Sequence, residues 1–280
     1  HDLTPAVSDL GTLKQLERLM QKRGAPLKFH LKVDTGMGRL GLLHSEIDSW
    51  LGEITGLKAL GLAGLFSQLA HAEDAGGDYT KSQIDHFSRV LDRCRAAGLN
   101  PPAIHLANSA GVIGVPAAHG TMVRPGVMLY GCYPTPAMAG RVELKPVLSW
   151  KTRILQLKEF PAGASIGYGR TFTTKRKSLI ATLPVGYADG YHRLLSNRGA
   201  ALVGGKRAPI AGRISMDLTM LDVTDIRGIN QGDEVVLIGR QGGESISADE
   251  VAGWAETISY EVLTSISARV PRIHSHPKED

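Results

Sequence analysis

The 280-residue chain has few cysteines, few aromatic residues and no long apolar run. Its two cysteines, Cys94 and Cys132, lie in dissimilar contexts, and nothing before them resembles a secretory signal, which argues against a disulfide framework. A reduced, cytoplasmic setting is therefore predicted. No apolar run approaches the roughly 18 residues that a membrane-spanning helix needs, so no membrane association is expected.

Clustered charge of one sign is also absent. The 32 basic and 27 acidic residues are scattered along the chain and give a net charge of +5, without a basic run or interleaved aromatic residues. A nucleic-acid partner is therefore not expected. The sequence lacks a GxGxxG fingerprint, a P-loop, a nucleophile elbow and any Cys and His pairing typical of metal ligands, so no metal site is predicted.

The first half of the sequence alternates helical and strand patterns, as a parallel α/β barrel does. Helical spacing of apolar residues predicts helices over 8–23, 46–54 and 79–97, and short apolar runs predict strands over 29–33 and strands ending near Phe66, His105 and Val123. A complete (β/α)8 barrel needs eight strands and roughly 250 residues. Residues 1–138 are therefore predicted to form the C-terminal half of a TIM-type barrel.

From about residue 142 the apolar pattern changes to a period of two, which is typical of strands. Strands are predicted from residue 150 on, over 178–185, 200–203, 219–223 and 234–238, with helices near 247–255 and 261–267. The proline-containing stretch 133–140 is the predicted linker. Residues 139–280 are therefore predicted to be a β-rich second domain that contributes residues to the substrate site.

Five short stretches rich in glycine, arginine or polar residues stand out: KVDTGMGRL at 32–40, HLANSAG at 105–111, RPGVMLYG at 124–131, VGYADG at 185–190 and SMD at 215–217. Each is weak evidence alone. Asn108 and Ser109 suit an ordinary helix cap, SMD suits any turn, and an isolated arginine or tyrosine at a strand end is more often structural. In the barrel half, such residues follow strand ends, where barrel enzymes place their chemistry.

Together, in order and spacing over 29–273, these stretches resemble the alanine racemase family of fold-type III pyridoxal phosphate enzymes. The resemblance implies pyridoxal 5'-phosphate as cofactor and a two-base interconversion of L-alanine and D-alanine that supplies peptidoglycan precursors. It also implies a homodimer with shared active sites, a small amino-acid substrate, and no nucleic-acid or membrane partner.

The resemblance also implies roles for the cofactor-binding residues. Arg124 would face the pyridine nitrogen of the cofactor and keep it unprotonated, because an arginine does not give up its proton. His105 would hold this arginine by a hydrogen bond. The phosphate contacts that match the family are Ser109, Gly126, Val127 and Tyr260.

The remaining implied roles concern the substrate. Tyr187 would be the catalytic base on one face of the α carbon, and since a free phenol ionises only near pH 10, its surroundings would have to favour the phenolate. Arg39 would contact the substrate carboxylate and the phenolic oxygen of the cofactor. Met216 and Asp217 would lie against the substrate. Lys32 matches a lysine that some members carry in carbamylated form.

Two departures from the family pattern affect the expected activity. Gln68 stands in the stretch SQLA, where members usually have THFA, so an amide replaces the histidine that normally bonds to the catalytic tyrosine. No stretch like KANAYGHG is present, which predicts that the N-terminal segment with the Schiff-base lysine is missing. The alternatives left open are a broad-specificity amino-acid racemase, a non-catalytic cofactor-binding protein and an inactive fragment.

Overall fold

The computed structural model describes residue 1 and residues 3–275. Their contacts divide the chain into two compact units. Unit 1 comprises His1–Leu129 and Tyr133–Leu144, and unit 2 comprises Tyr130–Cys132 and the chain from Lys145 onward. The domain limits 1–138 and 139–280 stay a prediction, and they include residues 2 and 276–280, which lie outside the described part of the chain.

Unit 1 is built around a parallel sheet with strand order β1–β2–β4–β5, and β3 pairs with β2. Its elements in chain order are β1 (Ala6–Val7), α1 (Leu10–Arg23), β2 (Leu27–Asp34), β3 (Leu42–Leu43), α2 (Ile47–Thr55), β4 (Leu60–Phe66), α3 (Asp78–Ala96), β5 (Ala103–His105) and α4 (Ser109–Gly114). Strands alternating with helices around a parallel sheet are the arrangement that the sequence pattern predicts for part of a barrel.

Local sequence explains the helix ends. Asp9 caps α1 by accepting a hydrogen bond from the Thr12 N–H, and Gly24 ends the helix at a φ of 67°, a left-handed conformation that glycine adopts without strain. β2 is buried because Phe29, Leu31 and Val33 are fully enclosed between its neighbours. Because β2, β4 and β5 pair in parallel, their carboxyl ends lie at the same edge of the sheet.

The prediction of a strand ending near Val123 is wrong. The N–H groups of Thr121 and Met122 both donate to a single carbonyl oxygen, that of Ile104, so no ladder forms. Gly120 precedes them at a φ of 65°, and a Cβ there would lie 2.2 Å from the same oxygen. The segment therefore turns tightly against β5 instead of extending the sheet. The two-residue strands β1 and β3 are too short for periodicity to predict.

Unit 2 is antiparallel throughout its sheets, as the period-two pattern predicts. The strands are β6 (Trp150–Arg153), β7 (Gln156–Phe160), β8 (Ser165–Ile166), β9 (Phe172–Thr173), β10 (Ser178–Leu183), β11 (Ala200–Val203), β12 (Lys206–Pro209), β13 (Thr219–Asp222), β14 (Glu234–Gln241) and β15 (Glu244–Ile246). They form sheets in the orders β13–β10–β7, β12–β11–β14–β15 with β6 on β14, and β8–β9.

Two short helices follow, α5 (Ala248–Trp254) and α6 (Ser259–Ser265). The Ser247 hydroxyl caps α5 by accepting a hydrogen bond from the Glu250 N–H. Within the described part of the chain, no helix combines the length and the apolarity required to cross a bilayer.

Candidate functional site

The Arg124 side chain is held by four contacts at the carboxyl edge of the unit 1 sheet. One terminal nitrogen of its guanidinium lies 2.6 Å from Nδ1 of His105. The other donates to the Ser67 carbonyl oxygen at 2.8 Å, to Oε1 of Gln68 at 2.9 Å and to the Leu106 carbonyl oxygen at 3.3 Å. All four acceptors are neutral, so the positive charge of the guanidinium is fixed in place without an anionic partner among these contacts.

His105 is buried at the end of β5 and is hydrogen-bonded on both sides of its ring. Nε2 lies 2.9 Å from Nδ1 of His30, and the ring stacks on Phe66 with centroids 4.7 Å apart. Burial, together with the charges of Arg124, His30 and Lys32, lowers the pKa of His105 to about 4. His105 is therefore neutral near pH 7.

The Gln68 amide takes part in this network. Its Oε1 accepts from Arg124, and its backbone carbonyl accepts from Nε2 of Gln83 at 3.1 Å. An amide has a fixed acceptor side and a fixed donor side, so the bond to Arg124 turns the Gln68 NH₂ group away from the guanidinium. The departure from the family pattern thus keeps an uncharged partner on Arg124.

Lys32 lies in β2 on the other side of Phe66, with Nζ 5.1 Å from the ring centroid. Nζ is buried and has no hydrogen-bond partner among the described residues. Burial lowers the pKa of this amine to about 8, and the charges of Arg124 and Arg39 act in the same direction, against the opposing effect of Asp34. A buried amine that is uncharged for part of the time near neutral pH is a nucleophile.

The loop after β2 is organised by Asp34, whose carboxylate accepts hydrogen bonds from the backbone N–H groups of Gly36, Met37 and Arg39 at 2.8, 2.8 and 3.2 Å. Burial raises the pKa of Asp34, but these backbone hydrogen bonds outweigh burial and hold it below its ordinary value. The Arg39 side chain is exposed on this fixed loop. It is available to an anionic ligand.

The predicted phosphate contacts of unit 1 lie together. The Ser109 hydroxyl begins α4 and accepts hydrogen bonds from the Gly126 N–H at 2.8 Å and the Met128 N–H at 3.5 Å. A Cβ at Gly126 would meet only the Ser109 Oγ, at 3.9 Å, so the space above this glycine is open. Val127 follows as a buried residue. Ser109, Gly126 and Val127 thus form a cradle with hydroxyl and amide donors.

In unit 2, Tyr187, Met216 and Asp217 line one pocket of about 410 Å³, together with Tyr168, Arg193, Arg213, Ile214, Ser215 and Leu218. The stretches 185–190 and 215–217 are joined by backbone hydrogen bonds from Tyr187 N–H to the Ser215 oxygen and from Ala188 N–H to the Met216 oxygen. A Cβ at Gly186 would lie 2.3 Å from the Ser215 oxygen, so this glycine permits the approach. Tyr260 is also in unit 2, half-exposed in the first turn of α6.

Tyr168 also lines this pocket, is 73% exposed, and lies in none of the five stretches that the sequence singles out. It lies between Gly167 and Gly169, both with φ near 70°, and Arg170 continues the left-handed backbone with a φ of 52°. A Cβ at Gly169 would lie 3.4 Å from Nε of Arg213, so a guanidinium packs beside this tyrosine loop. A tyrosine between two glycines in a polar loop was the available signal.

Comparisons with known proteins agree over both units. A family model of the alanine racemase N-terminal domain matches residues 1–134, and one of the alanine racemase C-terminal domain matches residues 147–274. The alanine racemase of Halothermothrix orenii is 48% identical over 272 residues, which covers 97% of this chain and 72% of that protein. The alanine racemase of Symbiobacterium thermophilum is 48% identical over 259 residues, covering 92% of this chain and 69% of that protein.

The solved structures to which this chain is similar include alanine racemases. Alanine racemase from Streptomyces lavendulae superposes with a TM-score of 0.93 at 31% identity, covering 99% of this chain and 74% of that one. Alanine racemase from Bartonella henselae, solved with covalently bound pyridoxal phosphate, has a TM-score of 0.86 at 34% identity, covering 97% and 73%.

Fold and sequence therefore define a fold-type III enzyme, with a barrel domain followed by a β-rich domain. Within that class, the chain belongs to the alanine racemase family. The family and the fold class predicted from the sequence are confirmed, whereas the roles of the individual site residues stay predictions.

Proposed function

We propose that this chain belongs to an alanine racemase that interconverts L-alanine and D-alanine with pyridoxal 5'-phosphate. The carboxyl edge of the unit 1 sheet would bind the cofactor, and the pocket of unit 2 lined by Tyr187, Met216 and Asp217, here called the β-domain pocket, would face the substrate. The observation that carries the proposal is Arg124, a permanently charged donor held by neutral acceptors only at the carboxyl end of the sheet. In the proposed setting, the enzyme works in the cytoplasm and its D-alanine enters peptidoglycan synthesis. The two unpaired cysteines fit a reducing compartment.

The residues of unit 1 suit this cofactor. The cradle of Ser109, Gly126 and Val127 has the open glycine and the hydroxyl and amide donors that a phosphate group needs. Arg124 would lie against the ring nitrogen, and Tyr260 of unit 2 would add a phosphate contact. When bound, pyridoxal phosphate supplies an electron sink for the α carbon of the amino acid.

Arg124 would limit how strongly that sink acts. Because a guanidinium does not release its proton, a ring nitrogen bound against Arg124 would stay unprotonated, and the group would be a weaker electron sink that disfavours transamination. The exposed Arg39 would bind the substrate carboxylate from the fixed loop after β2, with Met216 and Asp217 facing the substrate from the β-domain pocket.

The second base is a phenol of the unit 2 pocket. Tyr187 is the residue that the sequence singles out, and its backbone is clamped to the 215–217 stretch. Tyr168 is the second candidate, because it is the more exposed phenol and Arg213 packs beside its loop.

Lys32 is proposed as a carbamylated residue. Its uncharged, unpartnered Nζ would attack the carbon of carbon dioxide, forming an N–C bond and releasing one proton to give a carbamate anion. The product would place negative charge near Arg39 and Arg124, the two cations whose charges now disfavour the protonated amine. This carbamate would orient Arg39 for the substrate.

The working assembly is proposed to be a homodimer in which the unit 2 pocket of each protomer completes the cofactor site of its partner. An isologous two-fold pairing of this kind gives two identical shared sites. The support comes from family membership and from the placement of the site residues in two separate compact units.

The test of the function is racemisation by the full-length protein. L-alanine is supplied with pyridoxal phosphate, and D-alanine is measured by chiral chromatography, with L-lysine, L-arginine and L-serine in parallel. We expect turnover of alanine and little of the others. Turnover of lysine or arginine at a similar rate would indicate a broad-specificity racemase, and no turnover of any amino acid would overturn the proposal.

A further inference from the structure

His30 contacts His105 at the carboxyl edge of the unit 1 sheet and has no role in the proposed function. It is half-buried in β2, and its Nδ1 is 2.9 Å from Nε2 of His105. His105 in turn bonds to Arg124 through Nδ1 at 2.6 Å. The three side chains therefore form a continuous line of hydrogen bonds that ends at the guanidinium.

The proton positions along this line follow from the chemistry of arginine. A guanidinium only donates, so Nδ1 of His105 must accept and carries no proton. A neutral imidazole has a single N–H, which for His105 is then on Nε2. This N–H faces Nδ1 of His30, so His30 must accept there and carry its own proton on Nε2.

The sheet is built to allow this contact. His30 is on β2 and His105 is on β5, with β4 between them. Gly64 of β4 pairs in register with both His30 and Ala103. A Cβ at Gly64 would lie 2.5 Å from Nδ1 of His30, so any side chain at this position would displace the ring. The two histidines reach each other across the middle strand because residue 64 has no side chain.

We propose that His30 is a positioning residue, which fixes the tautomer of His105 and thereby aims the Arg124 guanidinium at the cofactor. Without an acceptor at His30, the His105 Nε2–H would be left unpaired beside the sheet. An unpaired buried donor is costly, and moving the proton to Nδ1 would turn that nitrogen into a donor facing another donor. We expect the proton to move to Nδ1, so that His105 no longer accepts from the guanidinium and the bond that holds Arg124 is lost.

The decisive variants are His30→Asn and His30→Leu, which resemble each other in shape. The asparagine Oδ1 occupies the place of the histidine Nδ1 and can still accept, whereas leucine offers no acceptor. Ring ¹⁵N chemical shifts of His105, measured in the full-length protein with and without pyridoxal phosphate, report the tautomer directly. We expect the Nε2–H form in the wild type and in His30→Asn, and its loss in His30→Leu.

Gly64→Ala tests the same link without removing the histidine, because the added Cβ must move the His30 ring. The expected result is again loss of the pure Nε2–H tautomer. If His105 keeps its wild-type tautomer in both His30→Leu and Gly64→Ala, His30 is a packing residue and the inference is overturned. If only one of the two variants folds, its tautomer decides in the same way.

The final link, from Arg124 to catalysis, rests on the proposed function. We expect His30→Leu to lower kcat for alanine about 10-fold, the order seen when partners of ligating side chains are removed, with little change in KM. His30→Asn should restore most of the loss. A wild-type protein that shows the expected tautomers and no racemisation would sink the proposed function alone. Racemisation with an unaffected tautomer would sink this inference alone.

Discussion

The guanidinium of Arg269 donates to the Asp189 carboxylate at 2.7 Å, and through its second side it donates to Asp217 at 2.6 Å. Asp189 also accepts from the Gly186 N–H at 2.8 Å. One side chain near the end of the described chain thus joins the 185–190 stretch to the 215–217 stretch. Both stretches line the β-domain pocket, so its shape depends on a residue that does not line it.

Asp189→Ala should destabilise the protein by about 1–3 kcal/mol at pH 7, because it leaves the buried Gly186 N–H without its acceptor and removes one of the two acceptors of Arg269. Burial raises the pKa of Asp189, but the bonds from Arg269 and Gly186 outweigh it and hold the pKa below the ordinary 3.8. Its stabilising contribution is therefore present above the unfolded pKa and lost as pH falls through the folded one. Urea unfolding of both proteins from pH 7 to pH 2.5 measures this.

The control is Asp225→Ala, which removes the partner of Arg176 in an exposed ion pair. Exposed pairs contribute little, so its stability should stay close to wild type at all these pH values. A difference for Asp189→Ala that is equally small, or that does not shrink in acid, would contradict the assigned role.

Comparison of Tyr168→Phe with Tyr187→Phe in the full-length protein tests which of the two tyrosines is the general base. Removing the general base of one face should slow exchange of the α-deuterium from L-alanine by about 100-fold or more, with a much smaller effect on D-alanine. The variant of the other tyrosine serves as the matched control. Nuclear magnetic resonance of the α-deuterium in each enantiomer gives both rates. Equal losses from the two enantiomers in both variants would mean that neither phenol is the base.

Sequence motifs predict a contact best where they match a family pattern. The resemblance to the alanine racemase family implies a hydrogen bond between His105 and Arg124, and their side-chain nitrogens lie 2.6 Å apart. Contacts that only the folded sheet brings about are not predictable in this way. His30 reaches His105 only because Gly64 interrupts the side chains of the intervening strand, and nothing in the spacing of residues 30, 64 and 105 announces this.

Apolar periodicity predicts regular strands, but it does not predict turns or loop positions. Period-two alternation predicts β10 and β11 closely, since half-buried strands show it in sequence. The segment ending at Val123 is apolar enough to suggest a strand, yet its amides converge on one carbonyl. The position of Tyr168 depends on Gly167 and Gly169, which both have a left-handed backbone conformation, and apolar periodicity carries no information about such a loop.

Mixing variants tests the shared sites of the proposed homodimer. One variant carries Arg124→Ala in unit 1, and the other carries both Tyr168→Phe and Tyr187→Phe in unit 2. If each site takes unit 1 from one protomer and unit 2 from the other, a heterodimer has one intact site. Half of a statistical mixture is heterodimer, so roughly a quarter of wild-type activity should return. No recovery after proven subunit exchange would contradict shared sites.

The 280-residue chain by itself is expected not to attach pyridoxal phosphate covalently, because it has no stretch like KANAYGHG. The purified chain is incubated with the cofactor, reduced with borohydride and digested, and pyridoxyl-lysine is sought by mass spectrometry. Only scattered, substoichiometric labelling should appear. Stoichiometric labelling of one lysine together with racemase turnover would show that a lysine of this chain serves instead.

Carbamylation of Lys32 should depend on pH in a defined direction. The pKa of its amine is lowered from 10.5 to about 8, so the uncharged nucleophile becomes the major form as pH rises through 8. With ¹³C-bicarbonate, a carbamate carbon signal should grow from pH 6.5 to pH 8.5 in the wild-type protein and be absent from Lys32→Arg, which keeps the charge without a nucleophilic amine. The carbamate should also lower KM for alanine, since it would orient Arg39 toward the substrate. A signal of equal size in Lys32→Arg would assign the carbamate to another amine, and no signal at any pH would mean that Lys32 is not carbamylated and is a buried amine whose pKa is lowered mainly by burial.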